Sequence, residues 1–148
     1  MKDAIGGIFN LSLLMVVILL VSGFISLAIN YTKAYRVKNN VLSYLEKYEG
    51  NTGNTDMLDK TYDYIKSIGY VATNTAVTSA ENEGYICPNY NGKKLGWCYR
   101  DGEIVNEKFT IDIVVFVNIN IPLVKQIFSN FKFFWMPGTT NWIPVMGS

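Results

Sequence analysis

The side chains best placed for covalent chemistry are two cysteines, Cys87 and Cys98, in the stretch "GYICPNYNGKKLGWCYR". Asn91-Gly92 reads as the centre of a β-hairpin. With a four-residue loop over residues 91–94, Tyr90 faces Leu95, and counting outward sets Cys87 opposite Cys98. Directly opposed residues in a hairpin can meet the geometry of a disulfide. The alternative is two buried free thiols. A bridge needs an oxidising compartment. Closing so short a loop stabilises by about 3 kcal/mol in the chain-entropy view.

Other chemistry finds little support. The chain has no histidine, so it lacks the commonest general base and the commonest metal ligand. Two cysteines without histidine are too few for a zinc site. Carboxylates at helical spacing, such as Asp59 and Asp63, read as solvated surface. The expectation is a non-enzyme with no catalytic, cofactor-binding or metal-binding residues and no cofactor. With 13 basic and 12 acidic residues the net charge is +1, which gives no long-range pull on nucleic acid.

The elements that must position the cysteines begin with an apolar run. Residues 8–29 carry no charge over 22 positions. At ~1.5 Å per residue they can cross the ~30 Å hydrocarbon core, so lipid is an expected partner. Residues 1–7 form a short N-terminal segment or leader. Ser22, Gly23 and Ser26 are small residues of the kind that allow helices to approach closely, and they are the candidate packing residues for assembly. Tyr31 and Tyr35 suit anchoring at the membrane interface.

The helical period continues past the span. Ala34, Val37, Val41, Tyr44, Leu45 and Tyr48 recur at three- and four-residue steps, with Lys33, Arg36, Lys38, Glu46, Lys47 and Glu49 mostly between them. One helix is therefore expected from about residue 8 to residue 49, stopped by "GNTG". Residues 30–50 are its amphipathic continuation. A signal peptide cleaved after "SLA", at residues 26–28, is the competing reading, although the apolar run exceeds the usual length of a signal core. The orientation signals conflict. Lys33, Arg36 and Lys38 follow the span and only Lys2 precedes it, which by charge alone puts the C-terminal part in the cytoplasm. The cysteine pair argues for the outside.

Residues 51–148 read as a small α+β head domain. A helix is expected from about Thr55 to Ile68, capped by Asn54 or Thr55 and stopped by Gly69, with Leu58, Tyr62, Ile65 and Ile68 as its apolar stripe. "VATNTAVTSAENE" reads as a loop or a short edge strand. "FTIDIVVFVNINI", residues 109–121, is the clearest strand: its seven odd positions are apolar, its even face is mixed, and Pro122 ends it. "LVKQIF" reads as a turn or short helix. "FKFFWM", from Phe131, reads as a further strand, turned by Pro137-Gly138 into "TTNWIPV". The fold class expected is α+β, a long transmembrane and amphipathic helix packed on a small antiparallel sheet.

This organisation resembles the type IV pilin-like proteins, and most closely the TadE-like minor pseudopilins of the tight-adherence (Flp) pilus. The resemblance rests on the apolar helix running on into "NYTKAYRVKNNVLSYLEKYEG", on the disulfide-capable domain, and on the C-terminal pattern of "FTIDIVVFVNINIPLVKQIFSNFKFFWMPGTTNWIPV". It implies a structural subunit of a surface filament, with a cytoplasmic N-terminus and an extracellular head. Its implied partners are copies of itself or related pilin subunits, and the pilus assembly machinery. Pilins carry a basic-Gly leader site and a Glu five residues into the mature chain. Here Gly6 and Gly7 are the candidate processing positions, and cleavage there puts Leu11 or Ser12 where the glutamate would stand. The other function class is a membrane-tethered or secreted extracellular binding domain that grips a partner through aromatics around Trp135 and Trp142.

Overall fold

A computed structural model describes residues 2–119 and 133–145, with side chains from residue 5 onward. The first element is one uninterrupted helix, α1, Lys2–Lys47, of 46 residues and about 70 Å. It starts earlier than the apolar run alone predicts and takes in Gly6 and Gly7. It ends where Glu49 and Gly50 turn to positive φ, and Gly50 N–H returns to the Leu45 carbonyl at 2.8 Å. That is a glycine-dependent stop of the expected kind.

Two shorter helices follow. In α2, Thr55–Ser67, the Asn54 side chain accepts from the Met57 N–H at 3.1 Å, and Gly69 takes φ 62° after the last turn. Its most buried face is Met57, Thr61 and Ile65: Ile65 is buried as predicted, while Met57 and Thr61 stand one position before the predicted Leu58 and Tyr62. Leu58, Tyr62 and Ile68 are half-buried flanks of the same core. The segment read as a loop or edge strand is instead a helix, α3, Asn74–Asn82. Thr73 caps it through the Ala76 N–H, and Ala76, Val77 and Ala80 form its buried side. Its many threonines and small residues disguised that one-sided pattern.

The strands are antiparallel throughout. A two-stranded hairpin joins β1, Asn89–Tyr90, to β2, Lys93–Lys94. The main sheet runs β3 (Trp97–Val105), β4 (Lys108–Asn118) and β5 (Phe133–Thr139), and β6 (Ile143–Pro144) pairs with the start of β4. The strand predicted over residues 109–121 corresponds to β4, the central strand, which ends at Asn118; Asn120 and Ile121 lie outside the described residues. Pro137-Gly138 does not make the predicted turn. Both residues stay in β5, opposite Val114 and Ile113. Proline is tolerated there because β5 lies at the sheet edge. Glycine is favoured at 138 because α1 passes close by: a Cβ would sit 3.1 Å from Lys38 Cδ and 3.2 Å from Leu42 Cδ1. The Pro122 stop, the "LVKQIF" turn, and Phe131 and Lys132 of the predicted last strand lie outside the described residues.

β4 separates two apolar layers. Its odd residues, Ile111, Ile113, Val115 and Val117, face Ala34, Val37, Val41 and Leu45 of α1 together with Met57 and Ile65 of α2. Its even residues Val114 and Phe116 pack with Cys98 and with Ala76, Val77 and Ala80 of α3. Each residue of β4 points to the opposite side from its neighbours, so a strand covered on both faces must be apolar on both. The partly apolar even face, with Val114 and Phe116, records this second cover. The molecule is thus an α+β fold in which a long apolar N-terminal helix packs along a small antiparallel sheet.

Candidate functional site

α1 has two surfaces made for different surroundings. From Ile5 to Ile29 its large apolar side chains are exposed, among them Leu13, Val17, Leu20 and Phe24, except Leu27, which packs partly buried against the head's core. From Ala34 on, the stripe Ala34, Val37, Val41 and Leu45 is fully buried in the head, flanked by half-buried Leu42, Tyr44 and Tyr48, and the charged residues lie mostly between. By length and composition the first part can cross a membrane. A collar of exposed leucine, isoleucine and valine this wide marks a surface made for lipid or for another protein.

The three candidate packing residues differ in setting. Ser22 is exposed, and its hydroxyl donates to the Leu19 carbonyl at 2.9 Å. That bond satisfies the hydroxyl inside the helix and leaves a small surface for a neighbour. Ser26 is half-buried and Gly23 is buried, the one buried residue among residues 5–33. A Cβ on Gly6 or Gly7 would meet nothing within 4 Å, so both candidate processing positions stand in the open.

The transition from span to head is fixed by polar contacts. Asn30 Nδ2 donates to the Asn118 carbonyl at 3.2 Å, and Lys33 Nζ donates to the Gly69 carbonyl at 3.1 Å. Tyr31 and Tyr35 are both about half exposed, and the Lys38 ammonium lies 5.0 Å from the Tyr35 ring centre. Higher up, the end of α1 is locked to α2. The Tyr48 hydroxyl donates to the Asp56 carboxylate, and Lys60 Nζ reaches Tyr48 Oη at 2.9 Å and Asp56 Oδ2 at 2.7 Å. Lys60 first, then the Tyr48 hydroxyl, hold the Asp56 carboxyl below the usual range, and Asp56 raises the Lys60 ammonium in turn. Asp59 is more than solvated surface, since it accepts from Tyr90 Oη at 3.0 Å and pushes that phenol up.

Cys87 and Cys98 are bonded to each other, with Cα atoms 4.1 Å apart. The predicted pairing holds, but the predicted loop does not. The turn has two residues, Asn91 and Gly92, both at positive φ, so Tyr90 faces Lys93 rather than Leu95. The two residues gained are absorbed at Leu95 and Gly96. Gly96 takes φ 78°, and the chains realign where Ile86 and Tyr99 exchange two backbone hydrogen bonds of 2.7 and 2.8 Å. The next pair inward is Cys87 opposite Cys98, at a position without backbone bonds, where opposed Cα atoms approach most closely. Trp135 does not stand free as a grip. It packs edge-on against Tyr85 and Phe116 in the layer under α3. Trp142 is about half exposed, beside Arg100, Asp112 and Thr139.

One key residue had no sequence signal. Tyr70 is buried just after the Gly69 stop. Its hydroxyl accepts from the Phe116 N–H at 3.1 Å and lies 2.8 Å from the Gly96 carbonyl and 3.0 Å from that of Phe116. Burial pushes its phenol well up from the ordinary value. Among the described residues no group of three or more His, Cys, Asp or Glu is placed to hold a metal ion. Comparison with protein-family models, curated proteins and solved structures finds no match to the chain.

Proposed function

We propose that this chain is a pilin-like structural subunit, a minor pseudopilin of the TadE-like type. It is stored in the membrane with its head outside the cell and assembled into a surface filament through α1. The observation that carries this reading is the single 46-residue helix with an all-round apolar first half and a second half embedded in an antiparallel sheet. A plain anchor needs no rigid continuation into its head. A filament subunit does, because the helix that sits in lipid must later pack among sister helices while keeping the head at a fixed angle.

The test compares membrane fraction with sheared-filament fraction for span variants in the native host. Ser22→Leu adds apolar surface at an exposed position, so insertion is retained. At a close helix contact the extra bulk costs about 1–3 kcal/mol, repeated at every subunit, so incorporation falls. Gly23→Leu acts in the same direction. If a scrambled Leu/Val span supports incorporation as well as the native one, α1 is only an anchor. The chain is then a membrane-tethered binding domain.

A further inference from the structure

We propose that the groove between α1 and the C-terminal end of α2 is a binding site for an anionic glycerophospholipid. The proposal rests on the reading of residues 8–29 as a membrane span. The groove is open, about 570 Å³ in volume, and lined by Ile25, Ala28, Ile29, Lys33, Arg36 and Ile68 among others. Its chemistry is graded along the helix axis. Ile25, Ala28 and Ile29 offer an apolar floor on one face of α1, and Lys33 and Arg36 follow on the same face at helical spacing.

The spacing matches a lipid. If the hydrocarbon core ends at Ile29, Lys33 stands ~6 Å and Arg36 ~10 Å beyond it at 1.5 Å per residue. The headgroup layer on each side of a bilayer is roughly 5–8 Å thick. The two cations therefore lie at the depth of the phosphate and at its outer edge, while an acyl chain can lie along the floor. Among the described residues no carboxylate lines the groove. Lys33 spends one N–H on the Gly69 carbonyl and keeps two. Arg36 has no hydrogen-bond, ion-pair or ring partner among the described residues, and its planar fork suits a phosphodiester. The hydroxyls of Thr32 and Ser67 already donate to the Ala28 and Tyr64 carbonyls, at 2.8 and 2.7 Å. Recognition thus falls to the two cations, and the lipid selected is one with net negative charge rather than a zwitterion.

The test uses the full chain in neutral detergent, offered equal amounts of phosphatidylglycerol and phosphatidylcholine with the same acyl chains. Retained lipid is counted by native mass spectrometry. Wild type should retain phosphatidylglycerol over phosphatidylcholine by about thirtyfold, given two cations at the headgroup. Arg36→Gln, which breaks no contact among the described residues, should reduce the ratio, and Lys33→Gln with Arg36→Gln should bring it near one. Lys93→Gln with Lys108→Gln, removing two charges outside the groove, should leave it unchanged. Equal retention by wild type overturns the proposal, as does a preference that survives the double groove variant or is lost equally in the control. Displacement by inorganic phosphate would also overturn it, reducing the site to one for free anions. Alkaline carbonate extraction separates the two failures. A chain that leaves the membrane sinks the span reading and the lipid site with it, whereas one that stays without lipid preference sinks the site alone.

Discussion

Replacing Tyr70 by phenylalanine removes one oxygen and keeps the ring. That oxygen does the work of a missing strand. β3 begins at Trp97, opposite Val115, so the next residue of β4 has no strand partner on that side. The Tyr70 hydroxyl takes the place, accepting from the Phe116 N–H and donating its one proton where the Gly96 and Phe116 carbonyls converge. In Tyr70→Phe a buried amide N–H is left without an acceptor, at about 1–3 kcal/mol, and a further hydrogen bond worth about 1 kcal/mol is lost. The expected destabilisation is about 2–4 kcal/mol, a large part of the 5–15 kcal/mol typical of a domain. Urea titration of the full chain in detergent, followed through the fluorescence of fully buried Trp97, measures it. Amide exchange at Phe116 should speed up beyond the change expected from global stability. A loss under about 0.5 kcal/mol with the Phe116 amide still protected would refute the reasoning.

The same residue sets an alkaline limit. Burial raises the folded pKa of Tyr70, so the neutral phenol is favoured in the folded state. Its contribution is full below the unfolded value of about 10 and is lost as the pH rises above that value. Stability should therefore decline above about pH 10. The decline should be shallower in Tyr70→Phe.

Intact-mass measurement should show unreduced native material lighter by two hydrogens than the reduced chain, and Cys87→Ser with Cys98→Ser should cost about 3 kcal/mol or less in urea titration. Gly50→Ala should destabilise by about 1–3 kcal/mol, since Gly50 sits at φ 75° and a Cβ would lie 2.6 Å from Phe109 Cζ; a neutral result would show that the end of α1 is free to shift. The lowered pKa of Asp56 makes its contribution present above the unfolded value of about 4 and lost as the pH falls through the folded value, so Asp56→Asn should flatten the acid side of the stability–pH curve. High salt should weaken the wild-type effect, because the Asp56–Lys60 pair is exposed.

What the sequence made legible was periodicity, and what it hid was context. The stripe Ala34, Val37, Val41 and Leu45 is buried as its spacing indicates, because a helix face against a sheet needs apolar residues at that period. β4 was equally plain, since every odd position from residue 109 to 117 is apolar, a two-residue period that no helix face has. α3 escaped because Ala76, Val77 and Ala80 are too small to stand out among threonines. Pro137-Gly138 misled because a strong local turn signal yields to an edge-strand position and to the close passage of α1. The Cys87–Cys98 pairing was reached through a loop of the wrong length. The shift at Leu95 and Gly96 restores the register that the four-residue loop had assumed. Tyr70 depends on where three chain segments meet in space, which no local pattern encodes.

The conflict over orientation can be argued from the cations themselves. The charge rule counts Lys33, Arg36 and Lys38 as evidence for a cytoplasmic head, on the premise that they are there to be retained inside. Two of the three have folding roles. Lys33 satisfies the Gly69 carbonyl at the end of α2, and Lys38 lies over the Tyr35 ring with its stem beside Gly138. These roles exist on either side of a membrane, so the bias they contribute is weaker evidence than a disulfide, which depends on the compartment. The proposed reading therefore puts the head outside. Protease added to intact cells, with any outer barrier permeabilised, should digest the chain beyond residue 30 and leave a protected fragment containing the span. Lys33→Gln, Arg36→Gln and Lys38→Gln together should not reverse that result. A head protected in the wild type, with freely alkylated Cys87 and Cys98, would place it in the cytoplasm and remove the filament reading along with the topology.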